Sequence, residues 1–454
     1  MNETYLGNAS VYGSQLLSAR DSAVTPWGFL TNSSLLVAAA RHPRQRAADA
    51  EFLFRMVGSQ WVEERVRVAS WTLLPDGATL NVTMAQPAFI MLRNKMYVGD
   101  FPSHIINLFA ALEGSLDAGG EGAAVPGSGY ASASGDFFYR ARPADDMAAL
   151  DAWAGAVDGP LVSLRGDRAA QPSALTVNDV AFLGLTFQHG AWLQPSGPAG
   201  YIPDQSGIFY EASDAPNMPG MGHALGGRVP GALELVAARG VSVDGCVFRN
   251  SAASGVTADE GSQRVAVTRS LFLDLGCHAA RFGQVDDWNG TDASRFNMDF
   301  VFEDNFLFGL AAELRDCSML MGGYVRNLTV AQNSMRNSSW AARTAQTERA
   351  TARRRPLFPA LTRRRLRPAR PDPNPAQGVT IGWGWGQHEG ALETHGANRI
   401  VGNDITLVNL LTADGGPIYV MGPQRVDGIW SEFARNFVGH ARHHAALLYH
   451  DEGA

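Results

Sequence analysis

The sequence predicts an all-β protein, a right-handed parallel β-helix with a small β-rich N-terminal region. Gly accounts for 49 of the 454 residues and charged residues for only 18%, which favours turns and strands because Gly weakens helices and supplies positive φ. A short apolar motif also recurs along the second half of the chain. The competing doubly wound α/β fold needs amphipathic helices of about ten residues between its strands, and none is convincing after Val177.

The recurring motif consists of an apolar residue, two variable residues, a small or amide residue, one variable residue and a second apolar residue. Its seven copies begin at Phe182, Val243, Val267, Phe302, Val330, Ile400 and Phe433. From Cys246 onward the central positions are 24, 35, 28, 70 and 33 residues apart. A repeat of variable length is typical of solenoid coils with loops of different sizes.

The central positions of the motif predict a ladder of stacked side chains, because like residues stack at equivalent turns of a parallel β-helix. Four copies carry an amide that is expected to hydrogen-bond to its neighbours above and below. These are Asn305, Asn333, Asn403 and Asn436. The earlier copies hold Leu185, Cys246 and Ser270, which are uncharged and are expected to face inward too.

We predict three parts in the chain. Residues 1–48 are expected to be an irregular segment, residues 49–160 a β-rich region with a Gly, Ala and Ser loop over 114–136, and residues 161–454 the β-helix. Residues 344–375 contain nine Arg against Glu348 and Asp372. This composition predicts a disordered insertion at a coil turn.

The charge distribution bears on the partners of the protein. The net charge is −7, and because residues 344–375 carry +7, the rest of the chain carries −14. An acidic folded part argues against nucleic acid as a ligand. No window reaches about 18 consecutive apolar residues, so no membrane-spanning helix is predicted. We expect a monomer.

The cysteines and the N-glycosylation sequons bear on the cellular compartment of the protein. The three cysteines, Cys246, Cys277 and Cys317, cannot all pair within one chain and their spacing matches no zinc site; Cys246 is expected to be a small buried apolar residue. No metal and no other cofactor is predicted. Seven N-glycosylation sequons permit an extracellular or secretory-pathway location, although no signal peptide is visible at the N-terminus.

The last third of the chain carries the candidate catalytic residues. Glycoside hydrolysis needs two carboxyl groups, about 5–5.5 Å apart for retention or about 6.5–9.5 Å for inversion, and Asp414 and Asp451 each lie close to Gly at the start or end of a short β-like run. Aligning Ile418–Tyr419 with Leu448–Tyr449 along straight strands would separate them by about 20 Å. The pair therefore requires a backbone bend, which the Gly-Gly-Pro segment 415–417 permits.

Candidate substrate-binding residues surround this pair. Trp383 and Trp385 alternate with Gly and are candidates for stacking on sugar rings, with buried core tryptophan as the alternative. Tyr419 and Tyr449 occupy matching strand positions and could stack in the core or in a groove. The predicted set is completed by His443, His444, Glu452 and, in the long loop between Trp192 and Arg228, Gln205.

These residues lead to a family resemblance. Gly382-Trp-Gly-Trp-Gly386, Asp414-Gly-Gly-Pro-Ile-Tyr419 and Tyr449-His-Asp-Glu-Gly453 are its specific motifs. Through them the chain resembles the parallel β-helix glycoside hydrolases of family 141, which have a pectin-lyase-like fold and include α-L-fucosidases and xylanases. The resemblance implies that Asp414 and Asp451 are the catalytic pair.

The sequence therefore predicts a glycosidase that cleaves a complex polysaccharide of the plant or algal cell-wall type with two aspartates. It leaves open which aspartate is the acid and whether the enzyme retains or inverts. Two alternatives remain. One is a polysaccharide lyase of the same fold, for which Asp286, Asp287, Asp299, Glu303 and Asp304 could bind calcium. The other is a non-catalytic carbohydrate-binding β-helix.

Overall fold

The computed structural model describes residues 17, 19, 21–55, 61–95, 101–109, 112, 129–132, 134–149, 152–170, 172–215, 226–283, 285, 287, 290–338, 377–383, 394–408, 415–440 and 446–451. Over these ranges an N-terminal antiparallel sheet packs against a parallel β-helix. No helix in these ranges is long and apolar enough to cross a membrane.

The N-terminal part is a six-stranded antiparallel sheet with two short helices, in the strand order β1-β2-β5-β4-β3-β6. Its elements are β1 (Ser22–Thr25), β2 (Gly28–Thr31), α1 (Ser34–Arg41), a 3₁₀ turn (Ala47–Asp49), β3 (Glu51–Arg55), β4 (Glu63–Leu73), β5 (Leu80–Met84), α2 (Ala88–Asn94) and β6 (His104–Ile106). The predicted irregular segment 1–48 is therefore wrong over residues 22–41. The local sequence contains no signal for these elements, because β1 pairs only with β2 in this sheet and β2 pairs with β5, some fifty residues further along the chain.

The strands of the β-helix follow a hairpin of β7 (Gly129–Ala131) and β8 (Phe137–Tyr139). The first three coils and the hairpin between the first two contain β9 (Val162–Arg165), β10 (Val177–Asn178), β11 (Ala181–Leu183), β12 (Thr186–Gln188), β13 (Pro203–Gln205), β14 (Ile208–Phe209), β15 (Gly227–Arg228), β16 (Gly231–Val236), β17 (Ala238–Asp244), β18 (Val247–Ser251), β19 (Ser254–Asp259), β20 (Gln263–Thr268) and β21 (Leu271–Leu275).

The remaining coils repeat the same three-strand unit. They contain β22 (Ala280–Phe282), β23 (Met298–Glu303), β24 (Phe306–Phe308), β25 (Leu320–Gly322), β26 (Arg326–Ala331), β27 (Ser334–Arg336), β28 (Val379–Ile381), β29 (Arg399–Val401), β30 (Asp404–Thr406), β31 (Ile418–Val420), β32 (Arg425–Val426), β33 (Ile429–Trp430), β34 (Glu432–Ala434), β35 (Phe437–Gly439) and β36 (Leu448–His450). Three further 3₁₀ turns span Gln194–Ser196, Ala212–Asp214 and Ala293–Arg295.

Three parallel sheets run along the solenoid. The first sheet has the order β9-β16-β19-β22-β25-β28-β31-β36, the second begins with β10 and β11 and continues β17-β20-β23-β26-β29-β34, and the third is β12-β18-β21-β24-β27-β30-β35. This arrangement confirms the predicted parallel β-helix. The Arg-rich insertion 344–375 and most of the loop 114–136 lie outside the described residues.

The interior of the solenoid is a stack of apolar side chains from all three sheets. In the third sheet Phe187, Phe248 and Phe272 lie in one column, with ring centroids 4.6 and 4.9 Å apart and nearly parallel planes. The rings stack because the parallel register places identical residues one strand spacing apart.

The predicted asparagine ladder is confirmed at the turn between the second and third sheets. Asn333 Oδ1 accepts from the backbone N–H and the side-chain amide of Asn305 at 3.0 and 3.1 Å. Its own amide donates to Asn403 Oδ1 and to the Phe302 carbonyl at 2.9 Å each. Asn403 is joined to Asn436 in the same way. The ladder thus fixes the register of four successive coils.

The residue before each ladder position adopts a left-handed conformation, which makes the sharp turn between the sheets. These residues are Gly184, Gly245, Arg269, Asp304, Gln332, Gly402 and Arg435. Cys246 and Ser270 are buried at the ladder position as predicted, and Ser270 Oγ accepts from the Cys246 N–H. The inward position expected for Leu185 is wrong, since this side chain is 47% exposed. It lies in the first coil, where no strand of the described third sheet precedes β12.

We predict that Asn333→Ala lowers the free energy of unfolding by about 2–4 kcal/mol, because the buried Asn305 N–H loses its acceptor and the Asn403 and Phe302 oxygens each lose a donor. Urea unfolding followed by circular dichroism measures the change. Asn178→Ala is the control: among the described residues this exposed side chain bonds only with Thr176, two residues before it, so a change within about 0.5 kcal/mol is expected. Equal losses in the two variants would contradict the structural role of the ladder.

Candidate active site

The candidate site lies on the outer face of the first sheet, at its last two strands. Ile418 and Val420 belong to the solenoid core, so Tyr419 between them points outward. Tyr419 pairs with Tyr449 of the neighbouring strand, and their rings meet edge to face at 5.2 Å. The predicted register and the predicted tyrosine pair are both confirmed.

Three of the predicted site residues meet at Tyr419. Its hydroxyl donates a short hydrogen bond to Asp451 Oδ2 and also forms a side-chain hydrogen bond with Gln205. Tyr419 is buried, and burial together with the Asp451 carboxylate raises its pKa well above the ordinary 10.0. The phenol therefore keeps its proton at neutral pH and acts as the donor to Asp451.

The backbone around this cluster is fixed by the neighbouring coil. The Asp451 N–H donates to the Val420 carbonyl at 2.9 Å, which extends the parallel ladder one residue beyond β36. A Cβ on Gly416 would lie 2.7 Å from the Ala446 carbonyl oxygen and 2.9 Å from the Tyr449 Cβ. Only glycine allows this close approach of the two coils.

Gln205 reaches Tyr419 from a hairpin that crosses the outer face of the first sheet. The hairpin, β13 and β14, turns at Ser206 and Gly207, and the Gly207 N–H donates to Asp316 Oδ2 at 2.7 Å. The Tyr201 hydroxyl donates to both oxygens of the Asp316 carboxylate at 3.0 Å. A buried carboxylate on the solenoid therefore holds the turn that presents Gln205.

The other side of the same peptide unit is held by His278. Its Nε2 lies 3.1 Å from the Ser206 carbonyl oxygen and its Nδ1 lies 2.6 Å from the Ser318 carbonyl oxygen. Burial lowers the pKa of His278 from 6.5 to about 4, so the ring is neutral at pH 7 and donates through one nitrogen. The tautomer with the proton on Nε2 donates to the Ser206 carbonyl, and the tautomer with the proton on Nδ1 donates to the Ser318 carbonyl.

A disulfide joins the residues next to His278 and Asp316. Cys277 and Cys317 are bonded, with their Cα atoms 5.3 Å apart, and both are buried. Each cysteine lies three residues before paired strand residues, Ala280 and Leu320, so the coil register stacks them. The sequence contained no signal for this bond, because the short strands β22 and β25 carry no copy of the motif. Cys246 is free and buried, as predicted.

The N-terminal sheet anchors the hairpin from the outside. Lys95 pairs with Glu64 at 2.7 Å and donates to the Pro203 carbonyl. The Trp61 indole N–H donates to the Asp204 carbonyl at 3.1 Å. Lys95 and Glu64 are buried charges, so losing one of them would leave the other as an uncompensated buried charge.

The structure corrects the role expected for Trp383. Its side chain is 1% exposed and belongs to the apolar cluster between the N-terminal sheet and the solenoid, where Met321 and Tyr324 also lie. It therefore packs in a core and presents no sugar platform, because the N-terminal sheet covers this part of the first sheet. Five predicted site residues lie outside the described residues: Trp385, Asp414, His443, His444 and Glu452.

Two of the acidic residues considered for calcium have other partners. Asp287 pairs with Arg168 and accepts from Asn297, and Asp299 accepts from Asn327 at 2.7 Å. Within the described ranges the converging group of possible metal ligands is Cys277, His278 and Cys317. Its two sulfurs form the disulfide, so they are not available as thiolate ligands.

The comparisons with known proteins bear on the fold. A solved structure named "Glycoside hydrolase" is similar to this chain, with a TM-score of 0.62 and 16% sequence identity over 94% of this chain and 71% of that one. No protein-family model and no curated protein matches the sequence. At this identity the likeness concerns the fold.

Opposite pH dependences of stability follow from the two buried groups that hold the hairpin. Burial raises the pKa of Asp316 from 3.8 to about 6, so its contribution to stability is present below pH 3.8 and is lost as the pH rises to about 6. The pKa of His278 is lowered, so its contribution is present above pH 6.5 and is lost as the pH falls to about 4. Between pH 4 and 6 the two effects offset each other.

We predict that Asp316→Asn removes the offsetting contribution of Asp316 and so reveals how His278 makes stability depend on pH. The variant should lose stability relative to the wild type as the pH falls from 6 to 4, by up to about 3 kcal/mol, since about two pKa units are involved. Urea unfolding at a series of pH values measures this difference. A constant difference between the two proteins from pH 4 to 7 would show that Asp316 does not titrate in this range.

Proposed function

We propose that the protein is a glycoside hydrolase in which Asp451 is one of two catalytic carboxyl groups and Asp414 is the other. The hydrogen bond from Tyr419 to Asp451, on the outer face of the last two coils, is the observation that carries this proposal. The similarity in fold to a solved glycoside hydrolase supports the reaction class. The substrate we propose is an acidic or branched polysaccharide of the plant or algal cell-wall type.

Asp451 is assigned the role of base or nucleophile. Its Oδ2 accepts a hydrogen bond from a phenol that keeps its proton, and an accepting carboxylate is the form that attacks a sugar or activates a water. The other oxygen, Oδ1, is available for that step. The general acid is then Asp414, and this pairing requires a backbone bend in the Gly-Gly-Pro segment 415–417.

Gln205 and Tyr449 complete the proposed sugar site. Gln205 adds an amide that can bond to hydroxyl groups, and the Tyr449 ring, half-buried beside Tyr419, adds an apolar surface for a sugar face. The predicted His443, His444, Trp385 and Glu452 remain part of the proposal.

We also propose an extracellular or secretory-pathway location. The buried Cys277–Cys317 disulfide is typical of oxidising compartments. The sequons at Asn32 and Asn327 lie at exposed positions where a glycan can be attached.

We predict that Asp451→Asn lowers kcat by about 10²–10⁴-fold, because the amide cannot act as base or nucleophile. Reducing-sugar release from pectic and hemicellulosic polysaccharides measures it. Asp427→Asn is the matched control, since Asp427 lies on an exposed turn between β32 and β33. This variant should keep activity within about twofold. Unchanged turnover in Asp451→Asn would overturn the assignment, and unsaturated products lost on chelation would indicate a lyase instead.

Tyr419→Phe tests the hydrogen bond itself. Without the hydroxyl the Asp451 carboxylate loses the donor that orients it, while the edge-to-face contact of the ring at position 419 with Tyr449 is kept. A fall in kcat of about tenfold at the wild-type optimum is expected from one lost hydrogen bond. A variant that keeps the wild-type kcat would show that the Tyr419 hydroxyl does not assist Asp451, and one that loses activity together with stability in urea unfolding would show that Tyr419 only supports the fold.

A further inference from the structure

An apolar patch lies on the outer face of the third sheet, at its second to fourth strands. Phe248, Phe272 and Leu307 point into the solenoid core, so the residues beside them in the strands point outward. The register pairs each outward leucine of β21 with an outward phenylalanine of β24. The patch consists of Val247 in β18, Leu271 and Leu273 in β21, and Phe306 and Phe308 in β24.

The patch is open to solvent and held in a fixed geometry. Leu271, Phe306 and Phe308 are 41%, 37% and 39% exposed. The two phenylalanine rings are nearly parallel, with centroids 6.5 Å apart, which matches the roughly 6.6 Å that two residues span along a strand. The rings therefore lie side by side above their own backbone positions. The Phe306 N–H donates to the carbonyl of the ladder residue Ser270 at 3.0 Å, which fixes the strand beneath them.

The apolar character is confined to this part of the sheet. Most other outward positions in its described strands are polar: Thr186, Gln188, Arg249, Ser334, Arg336, Asp404 and Thr406. The two arginines nearest the patch have partners, since Arg249 donates to the Gln188 side chain at 2.7 Å and Arg336 pairs with Asp404 at 2.5 Å. The patch itself has no charge and no hydrogen-bonding side chain, so its occupant must be bound through apolar contact.

The size of the patch limits what it can hold. At about 200 Å² per side chain and roughly two-fifths exposure, each of the three exposed residues contributes about 80 Å². With the half-buried Val247 and Leu273 the patch measures roughly 300 Å², the size of surface patches that are often functional. A stable contact between two proteins buries about 800 Å² on each partner. The patch is therefore too small to hold a second copy of the chain and favours a ligand with a narrow apolar face.

We propose that the apolar patch binds a neutral polysaccharide through the apolar C–H faces of its sugar rings. Such faces pack on aromatic rings, and the two parallel rings offer two contacts in a row. The choice of a saccharide rests on the proposed function, and the choice of a neutral one rests on the absence of charge in the patch. Because no charge is involved, the affinity should not depend on salt.

The patch attaches the protein to polysaccharide material and lies outside the candidate active site. It belongs to the third sheet, whereas Tyr419 and Tyr449 lie on the outer face of the first sheet. A sugar chain on the patch is therefore held on a different side of the solenoid from Asp451. Holding the protein on a cell-wall polymer raises the effective concentration of neighbouring bonds at the catalytic residues.

Co-sedimentation of the full chain with microcrystalline cellulose tests the proposal, because this polymer is neutral and exposes apolar sugar faces. Phe306→Ala and Phe308→Ala should each raise the apparent Kd about three- to tenfold. Phe308→Tyr keeps the ring and should bind like the wild type. The wild-type Kd should be the same in about 0.1 M and about 1 M NaCl.

Phe437→Ala is the matched control. Phe437 occupies the same outward column in β35 and is 63% exposed, but its paired neighbour is Asp404 and the next outward residue of its own strand is Gly439. Loss of this isolated ring should leave the Kd within about twofold of the wild type. Urea unfolding shows that each variant is folded before its binding is compared.

The patch is wrong if the wild type does not bind cellulose, if both Phe306→Ala and Phe308→Ala bind like the wild type, or if Phe437→Ala loses affinity equally. A wild-type Kd that rises steeply with salt would also contradict it. Light scattering provides a further check, since a dimer that dissociates in Phe306→Ala would assign the patch to a second copy of the chain.

Asp451→Asn separates this proposal from the catalytic one, because it should lose turnover and still bind cellulose like the wild type. If Asp451→Asn loses turnover and Phe306→Ala binds like the wild type, the patch is wrong and the hydrolase proposal stands. If Phe306→Ala loses binding and the wild type cleaves no polysaccharide, the patch stands and the hydrolase proposal is wrong.

Discussion

The parallel register of the coils is the constraint on which the rest of the structure depends. Each strand of the first sheet is only three to six residues long, too short to select a partner by itself. The ladder from Ser270 through Asn436 joins successive turns by side-chain and backbone hydrogen bonds. A shift of one residue would break these bonds and would expose the apolar column to solvent.

Because the register is fixed, outward positions of the first sheet also form columns, and their surroundings determine their chemistry. Near the middle of the solenoid this face is covered: Arg281 is buried and paired with Asp259 at 2.8 Å, and Met321 packs in the cluster under the N-terminal sheet. At the last two strands the outward residues are Tyr419 and Tyr449. There the Asp451 carboxylate follows the strand and accepts a hydrogen bond from Tyr419. The same arrangement of strands thus forms a covered core in one place and a hydrogen-bonded carboxylate on the outer face in another.

The hairpin at residues 203–209 links the two layers of the molecule. Asp316 and His278 hold opposite sides of its turn from the solenoid, and Lys95 and Trp61 hold it from the N-terminal sheet. Its polar groups have all these partners only when both layers are in place. The position of Gln205 therefore depends on how the N-terminal sheet packs on the solenoid. This coupling links the N-terminal sheet to the candidate site through the hairpin.

The sequence by itself determined the coil motif, the asparagine ladder and the pairing of Tyr419 with Tyr449, because these follow from a periodic pattern in which each residue meets its equivalent one coil away. The meeting of Gln205 with Tyr419, the Cys277–Cys317 disulfide and the burial of Trp383 were decided only by the tertiary structure. They depend on contacts between distant segments, such as Trp61 with Asp204, 143 residues apart, and Arg315 with Glu63, 252 residues apart. No local pattern encodes such contacts, since the surface that covers a solenoid is set by how a separate sheet docks on it.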